Sequence, residues 1–182
     1  MGDSLSAAYG LPVEKGWVSL LQNSLPSYRV VNASISGETT SGGKQRLPAL
    51  MNQYQPAILM VELGANDALR GQDLNSTKRN LQSMLDTCLS ANYACQPVLL
   101  GIRLPTNYGP AYDAFLQRIY QNLAAENAVA FHPFFIEQVA LDPDLMQADA
   151  LHPNAQAQPL ILDTVLKTLK ASKALLNLNV MD

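Results

Sequence analysis

The 182-residue sequence has little charge and no long hydrophobic run. Lysine and arginine number 12 against 15 acidic residues, and the net charge of −3 argues against a nucleic-acid partner. The longest apolar run, residues 57–61, falls far short of the roughly 18 residues that a membrane span needs, so stable membrane insertion is not expected. The first residues show neither a basic start nor an apolar stretch, so no signal peptide is visible.

Cysteine is also scarce, with only Cys88 and Cys95. They lie seven residues apart across a predicted helix end, so they could form a small disulfide in an oxidising compartment. In the alternative interpretation, Cys88 packs on the apolar face of the helix and Cys95 is unpaired. Two sulfurs without a neighbouring histidine make a poor metal site. No glycine-rich phosphate loop follows a predicted strand, which argues against a nucleotide-binding module. Neither a metal nor another cofactor is expected.

Short apolar segments alternate with amphipathic ones along the whole chain. We expect one domain over residues 1–182 with a three-layer α/β/α sandwich and a mainly parallel sheet. The apolar segments predict strands at residues 29–33, 57–63, 97–104 and 129–135. Helical spacing predicts helices at residues 16–25, 75–90 and 112–126, and a C-terminal one marked by Leu162, Val165, Leu166 and Leu169.

Polar motifs follow the predicted strands at the edge where open α/β sheets bind ligands. A serine hydroxyl becomes nucleophilic only beside a general base, and Ser4 is a candidate nucleophile. The sequence has two histidines. His132 lies inside a predicted strand and is expected to be structural, which leaves His152 as the base. Asp149, three residues before His152, could orient the imidazole, although it could also cap the following helix.

Five blocks occur in an order typical of one protein family, and all but the first stand after or at the end of a predicted strand: GDSLSAAYG, VVNASISGETT, VELGANDALRG, IRLPTNYG and DALHPNAQAQP. Together they resemble the GDSL/SGNH hydrolase family over essentially the whole chain. Within that family, the likeness is to the bacterial thioesterase, arylesterase and lysophospholipase type. The resemblance implies a flavodoxin-like fold and a catalytic set of Ser4, Asp149 and His152.

The resemblance also implies an oxyanion hole and a substrate groove. The hole would consist of the backbone amides of Ser4 and Gly37 and the side-chain amide of Asn66. Asp3 is expected to order the loop around Ser4, and Ala65 stands where many members carry a second glycine. An acyl groove would be lined from two loops, at residues 68–76 and 105–110, by Leu69, Leu74, Pro105 and Tyr108, although these loops could equally be solvated connections.

The expected activity is hydrolysis of acyl esters and acyl thioesters through an acyl-Ser4 intermediate. A carbohydrate acetyl esterase is an alternative, because the same catalytic set serves that chemistry. A non-catalytic binding domain, either a hydrolase relic or a flavodoxin-like module, is another. By resemblance, a periplasmic or secreted location is expected. The expected partner is a small acyl ester or thioester substrate, and the expected state is a monomer.

The start of the sequence departs from the family pattern, in which an apolar central strand precedes the GDS block. Here Met1 directly precedes Gly2, so the first central strand is expected to be missing from this sequence. Three explanations remain open: a sequence cut short, a complete but inert chain, or another segment that fills the gap. The alternating Leu176, Leu178 and Val180 are candidates for the last of these.

Overall fold

The computed structural model describes residues 1–172 and contains a parallel sheet at its centre. Its three strands are β1 (Ile58–Val61), β2 (Gln96–Leu100) and β3 (Ala130–His132), in the spatial order β1-β2-β3. Ile58 lies opposite Gln96, and Val98 lies opposite Ala130. These strands confirm three of the predicted segments, although each is shorter than predicted.

Helices cover both faces of this sheet. The predicted helices are confirmed as α1 (Trp17–Ser24), α4 (Leu74–Leu89), α5 (Pro110–Asn127) and α7 (Gln158–Ala171). Three further helices were not predicted: α2 (Thr40–Tyr54), α3 (Ala65–Leu69) and α6 (Glu137–Ala140). Short 3-10 turns occur at Val13–Lys15, Thr106–Tyr108 and Pro143–Leu145.

Alternate residues of the strands enter two separate hydrophobic clusters, one on each face of the sheet. Leu59 and Val61 pack with residues of α2, α4 and α5, whereas Val98 and Leu100 pack with residues of α1, α6 and α7. The sheet is therefore buried between two helical layers, which confirms the predicted sandwich. Within residues 1–172, no helix combines the length and the apolar character that a membrane crossing requires.

The predicted strand at residues 29–33 is wrong. Gly2 instead pairs in parallel with Glu62, and the Met1 amine donates to the Met60 carbonyl at 2.9 Å. The Ile35 amide in turn donates to the Gly2 carbonyl at 3.0 Å. Residues 1–2 therefore lie between the end of β1 and Ile35, and the 29–35 segment does not pair with β1 itself. A cavity of about 400 Å³ separates residues 29–33 from β1. A strand needs a hydrogen-bonded neighbouring strand. Residues 29–33 pair with no strand among the described residues, so they do not form a strand there.

Cys88 and Cys95 are joined in a disulfide, with their Cα atoms 5.4 Å apart. The bond links the last turn of α4 to the residue before β2. It decides between the two interpretations that the sequence left open. The alternating Leu176, Leu178 and Val180 lie outside the described residues.

Candidate active site

Ser4 lies in a tight turn directly after the bridge between Gly2 and Glu62. The Asp3 carboxylate accepts the Leu5 amide at 3.0 Å, and the Asp3 carbonyl accepts the Ala7 amide at 2.9 Å. The Trp17 indole donates to the Leu5 carbonyl at 3.1 Å, which ties the turn to α1. The turn therefore projects Ser4 from the carboxyl edge of the sheet, and Asp3 orders it as expected.

The structure brings the three expected catalytic side chains into one hydrogen-bonded line. His152 Nε2 lies 2.9 Å from Ser4 Oγ, and His152 Nδ1 lies 2.7 Å from Asp149 Oδ2. Ser4 and His152 are 148 residues apart in sequence, so only the fold joins them. This arrangement lets the imidazole accept the serine proton while the carboxylate fixes its tautomer.

Asp149 is held as a carboxylate. Although burial alone would raise its pKa, the His152 amide, the His152 ring and the Leu151 amide all hydrogen-bond to it and lower the pKa to about 2. Both amides donate to Oδ1 at 3.0 Å, which leaves Oδ2 for the imidazole. The carboxylate therefore carries a negative charge at any pH near neutrality.

Two residues that the sequence did not single out hold His152 in place. The Gln147 amide donates to the His152 carbonyl at 2.8 Å, and the Gln147 side chain donates to the Tyr9 carbonyl at 2.8 Å. The Tyr9 ring lies against the imidazole with a centroid distance of 4.3 Å. Gln147 gave no signal in the sequence, whereas Tyr9 lies within the GDSLSAAYG block.

The expected oxyanion donors lie around the nucleophile turn. Gly37 has φ of +78°, a conformation that favours glycine, and its carbonyl accepts Arg70 at 2.8 Å. The Asn66 side-chain amide donates to Asp3 at 3.0 Å. Among the described residues, the Ser4 and Gly37 amides have no hydrogen-bond acceptor. Both are therefore available to a developing negative charge.

Asn66 is fixed by the start of α3. The φ of +125° falls on Gly64, while Ala65 already begins the helix, so alanine fits where many family members have glycine. The next residue, Asp67, is buried and accepts the Thr40 amide at 2.9 Å, the Thr40 hydroxyl and the Thr77 hydroxyl at 3.2 Å. α3 is thus anchored to α2 and α4.

A buried cluster of ionisable groups lies beneath the turn. Burial raises the pKa of Asp3 to about 6 and raises that of Glu62 well above its ordinary value. Burial also lowers the pKa of the Met1 amine to about 6. The sequence offered one signal for this cluster, since Glu62 is the only charged residue in the apolar run 57–63.

The expected groove residues divide between rim and core. Leu69 is partly buried, Pro105 and Tyr108 are exposed, and the Tyr108 hydroxyl donates to the Leu69 carbonyl at 3.3 Å. Leu74 corrects the expectation: it begins α4 with 2% exposure and packs in the core, because its side chain faces inward. Three of the four residues therefore remain candidates for substrate contact.

His132 lies in β3, and its buried Nδ1 has no hydrogen-bond partner among the described residues. Burial lowers the pKa of its imidazole. Within residues 1–172, no group of three or more His, Cys, Asp or Glu side chains is placed to hold a metal ion.

Comparison with known proteins gives a consistent result. A sequence model of the GDSL-like lipase/acylhydrolase family matches residues 1–159. Esterase TesA of Pseudomonas aeruginosa is 47% identical, with 93% of this chain and 86% of the relative covered. Thioesterase 1/protease 1/lysophospholipase L1 of Escherichia coli K12 is 46% identical, with 93% and 81% covered. The crystal structure of esterase EstA from Pseudoalteromonas sp., inhibited by monoethylphosphonate, has a TM-score of 0.88 at 41% identity and covers 94% of each chain.

Proposed function

This chain belongs to the GDSL-like lipase/acylhydrolase family of serine esterases, and we propose that it hydrolyses acyl esters and acyl thioesters through an acyl-Ser4 intermediate. The observation that carries the proposal is the 2.9 Å contact between Ser4 Oγ and His152 Nε2. The identities of 47% and 46% to an esterase and to a thioesterase/lysophospholipase support it.

The proposed reaction begins when Ser4 Oγ attacks the substrate carbonyl carbon and His152 Nε2 takes the hydroxyl proton. Asp149 stabilises the resulting imidazolium. The carbonyl oxygen becomes an oxyanion, and the Ser4 amide, the Gly37 amide and the Asn66 side chain donate to it. Collapse expels the alcohol or thiol, which receives the proton from His152. A water molecule, deprotonated by His152, then attacks the acyl carbon; the bond to Ser4 Oγ breaks, the acid leaves, and Oγ regains its proton from His152.

Exposed apolar side chains around the proposed catalytic line suit an acyl chain. Tyr9 packs against the His152 ring, and Leu151 directly precedes His152. The Ile35 amide donates a hydrogen bond to the Gly2 carbonyl, close to Ser4 in the chain. All three side chains are exposed. Tyr108 is exposed in the loop that carries Pro105. Burying such surfaces against an acyl chain contributes about 25 cal/mol per Å². We therefore propose that substrates carry an acyl chain longer than acetyl.

The test is the kinetics of a Ser4→Ala variant on p-nitrophenyl esters from acetyl to palmitoyl. We expect a loss of kcat of at least about 10⁴-fold, since the nucleophile is absent. Undiminished activity in the variant would exclude the acyl-Ser4 mechanism. In the parent protein, a sharp preference for acetyl groups, especially on sugars, would favour the carbohydrate acetyl esterase instead.

Two further proposals concern the setting of the enzyme. The disulfide between Cys88 and Cys95 supports an oxidising, exported location, since disulfides persist outside the cytosol. Cell fractionation tests this. The three catalytic side chains come from one chain, so the site needs no second copy, and we propose a monomer. Elution as a dimer in size-exclusion chromatography with light scattering would contradict it.

A further inference from the structure

Glu62 is a buried carboxyl group that the proposed reaction does not use. It follows β1 and is 1% exposed. Its Oε2 accepts the Asp3 amide at 3.1 Å and the Ser6 hydroxyl at 2.7 Å. Its Oε1 has no hydrogen-bond partner among the described residues. An incompletely satisfied carboxyl group is costly to bury, so its presence calls for a compensating role.

The two partners of Glu62 lie on either side of the nucleophile. Asp3 precedes Ser4 and accepts the Asn66 side-chain amide at 3.0 Å. Ser6 closes the turn, with its amide donating to the Asp3 carbonyl at 3.2 Å. One carboxyl group therefore connects through single hydrogen bonds to both sides of the turn, and through Asp3 to the proposed oxyanion donor Asn66.

Gly2 allows this close approach. A Cβ atom at Gly2 would lie 2.5 Å from Glu62 Oε2 and 2.9 Å from Ser6 Oγ. Both distances are shorter than real Cβ atoms show. The packing of the turn against Glu62 is thus tight enough to transmit a change in the carboxyl group to Ser4.

The charges around Glu62 favour its neutral form. Burial and the adjacent Asp3 carboxylate both raise the pKa of Glu62, against the smaller opposing effects of its hydrogen bonds and of the Met1 amine. Two adjacent buried carboxyl groups do not both ionise readily. The pair therefore favours a neutral Glu62 beside Asp3, since burial and the Asp3 charge both act against a second negative charge.

We propose that Glu62 is a positioning residue of the esterase site, which fixes Asp3 and Ser6 and thereby sets the Ser4 amide and the Asn66 amide toward the oxyanion. The proposal rests on the proposed function of Ser4. Glu62 itself does not touch substrate, because it is buried beneath the turn. Its contribution therefore belongs to kcat rather than to KM.

A pair of substitutions separates the hydrogen bonds of Glu62 from its charge. Glu62→Gln carries no charge but keeps a carbonyl oxygen that can accept the Asp3 amide and the Ser6 hydroxyl. We therefore expect kcat to stay within about 3-fold of the parent. Glu62→Leu removes the acceptor from Asp3 and Ser6. We expect kcat to fall on the order of 100-fold, as when an oxyanion donor is misplaced, with KM within about 3-fold. Ser6→Ala removes one of the bonds, and we expect a loss of about 5- to 10-fold.

A second readout does not depend on turnover. The side-chain amide resonances of Asn66 in a ¹H–¹⁵N spectrum report its bond to Asp3. We expect them to shift in Glu62→Leu and to stay in place in Glu62→Gln. Ile119→Val, a truncation in the core of α5, is the control for lost stability and should change neither kcat nor these resonances.

The outcomes distinguish this inference from the proposed function. If Glu62→Leu does not fold, Ser6→Ala decides by the same two readouts. Unchanged kcat and unchanged Asn66 resonances in the folded variant would overturn the positioning role. A Glu62→Gln variant as impaired as Glu62→Leu would overturn it as well. If the parent shows no Ser4-dependent activity but the Asn66 resonances respond, the proposed function fails and the structural link stands.

Discussion

At the scale of single residues, the proposed chemistry depends on a carboxylate that stays charged while an imidazole exchanges a proton. Asp149 achieves this through three hydrogen bonds, from two backbone amides and the His152 ring. The two amides belong to the same short turn, so the turn that places His152 also sets its partner. The pair is therefore preorganised before substrate arrives.

Replacement of Asp149 by asparagine should remove the charge and favour the wrong imidazole tautomer. We expect kcat on p-nitrophenyl butyrate to fall on the order of 10³-fold, with KM little changed. Asp142→Asn is the matched control, since Asp142 is an exposed carboxylate that caps a 3-10 turn through the Asp144 amide. A comparable loss in both variants would mean that the effect is not specific to the proposed site.

The residues of the proposed catalytic line were predictable, whereas those that hold it were not. Ser4, His152 and Asp149 were expected because they lie in short sequence blocks, GDSLSAAYG and DALHPNAQAQP, that resemble those of a known family. Tyr9 and Gln147 meet only because the two ends of the chain pack together. Such contacts depend on tertiary packing and leave no local pattern. Glu62 is the exception, because a lone charged residue in the apolar run 57–63 is itself a signal.

At the scale of elements, the sequence predicted the amphipathic helices well and missed α2. That helix carries Gly42, Gly43 and Pro48, which oppose helix formation. Packing overrides the propensity: a Cβ atom at Gly43 would lie 2.5 Å from Leu63 Cδ1, so glycine permits close contact with the core. The segment 29–33 shows the reverse case, in which a strand pattern lacks a neighbour among the described residues.

The disulfide after α4 should contribute measurably to stability. It closes a loop of seven residues, so reduction should lower the free energy of unfolding by about 2–3 kcal/mol. The measurement is urea unfolding with and without reductant. A Cys88→Ala/Cys95→Ala double variant is the control and should not respond to reductant. Equal midpoints for the oxidised and reduced parent would contradict the prediction.

At the scale of the whole molecule, a cavity of about 400 Å³ lies beside β1, at one edge of the described sheet. The Met60 carbonyl and the Glu62 amide form hydrogen bonds with Met1. In a parallel sheet, the main-chain N–H and C=O groups of every second residue point to the same side. The Met60 amide and the main-chain groups of Ile58 therefore face the cavity. The Met1 amine is buried there, which lowers its pKa to about 6. The site therefore suits an extended apolar segment with peptide groups.

An apolar extension of five or six residues ahead of Met1 should occupy this cavity as an additional parallel strand. We expect the melting temperature to rise by more than about 10 °C, since several apolar side chains become buried. A Gly/Ser extension of the same length is the control and should give little increase. A cooperative melt of the 182-residue parent above about 60 °C would contradict the argument.

The stability gain from this extension should depend on pH. In the parent, burial disfavours the charged form of the Met1 amine, whose pKa falls from 8.0 to about 6 on folding. That penalty is absent above about pH 8 and is complete below about pH 6, where it reaches about 2–3 kcal/mol. An extended chain has an amide there instead. The difference between the two proteins should therefore grow as the pH falls from 8 to 6, which chemical denaturation can measure.

The central claim is that Ser4 is a nucleophile activated by His152. Its most direct test is intact and peptide mass spectrometry after reaction with a fluorophosphonate, a reagent for activated serines. We predict a single adduct on Ser4, lost in a His152→Ala variant that keeps its fold. No adduct on the folded parent, an adduct on another serine, or undiminished labelling without His152 would contradict the account.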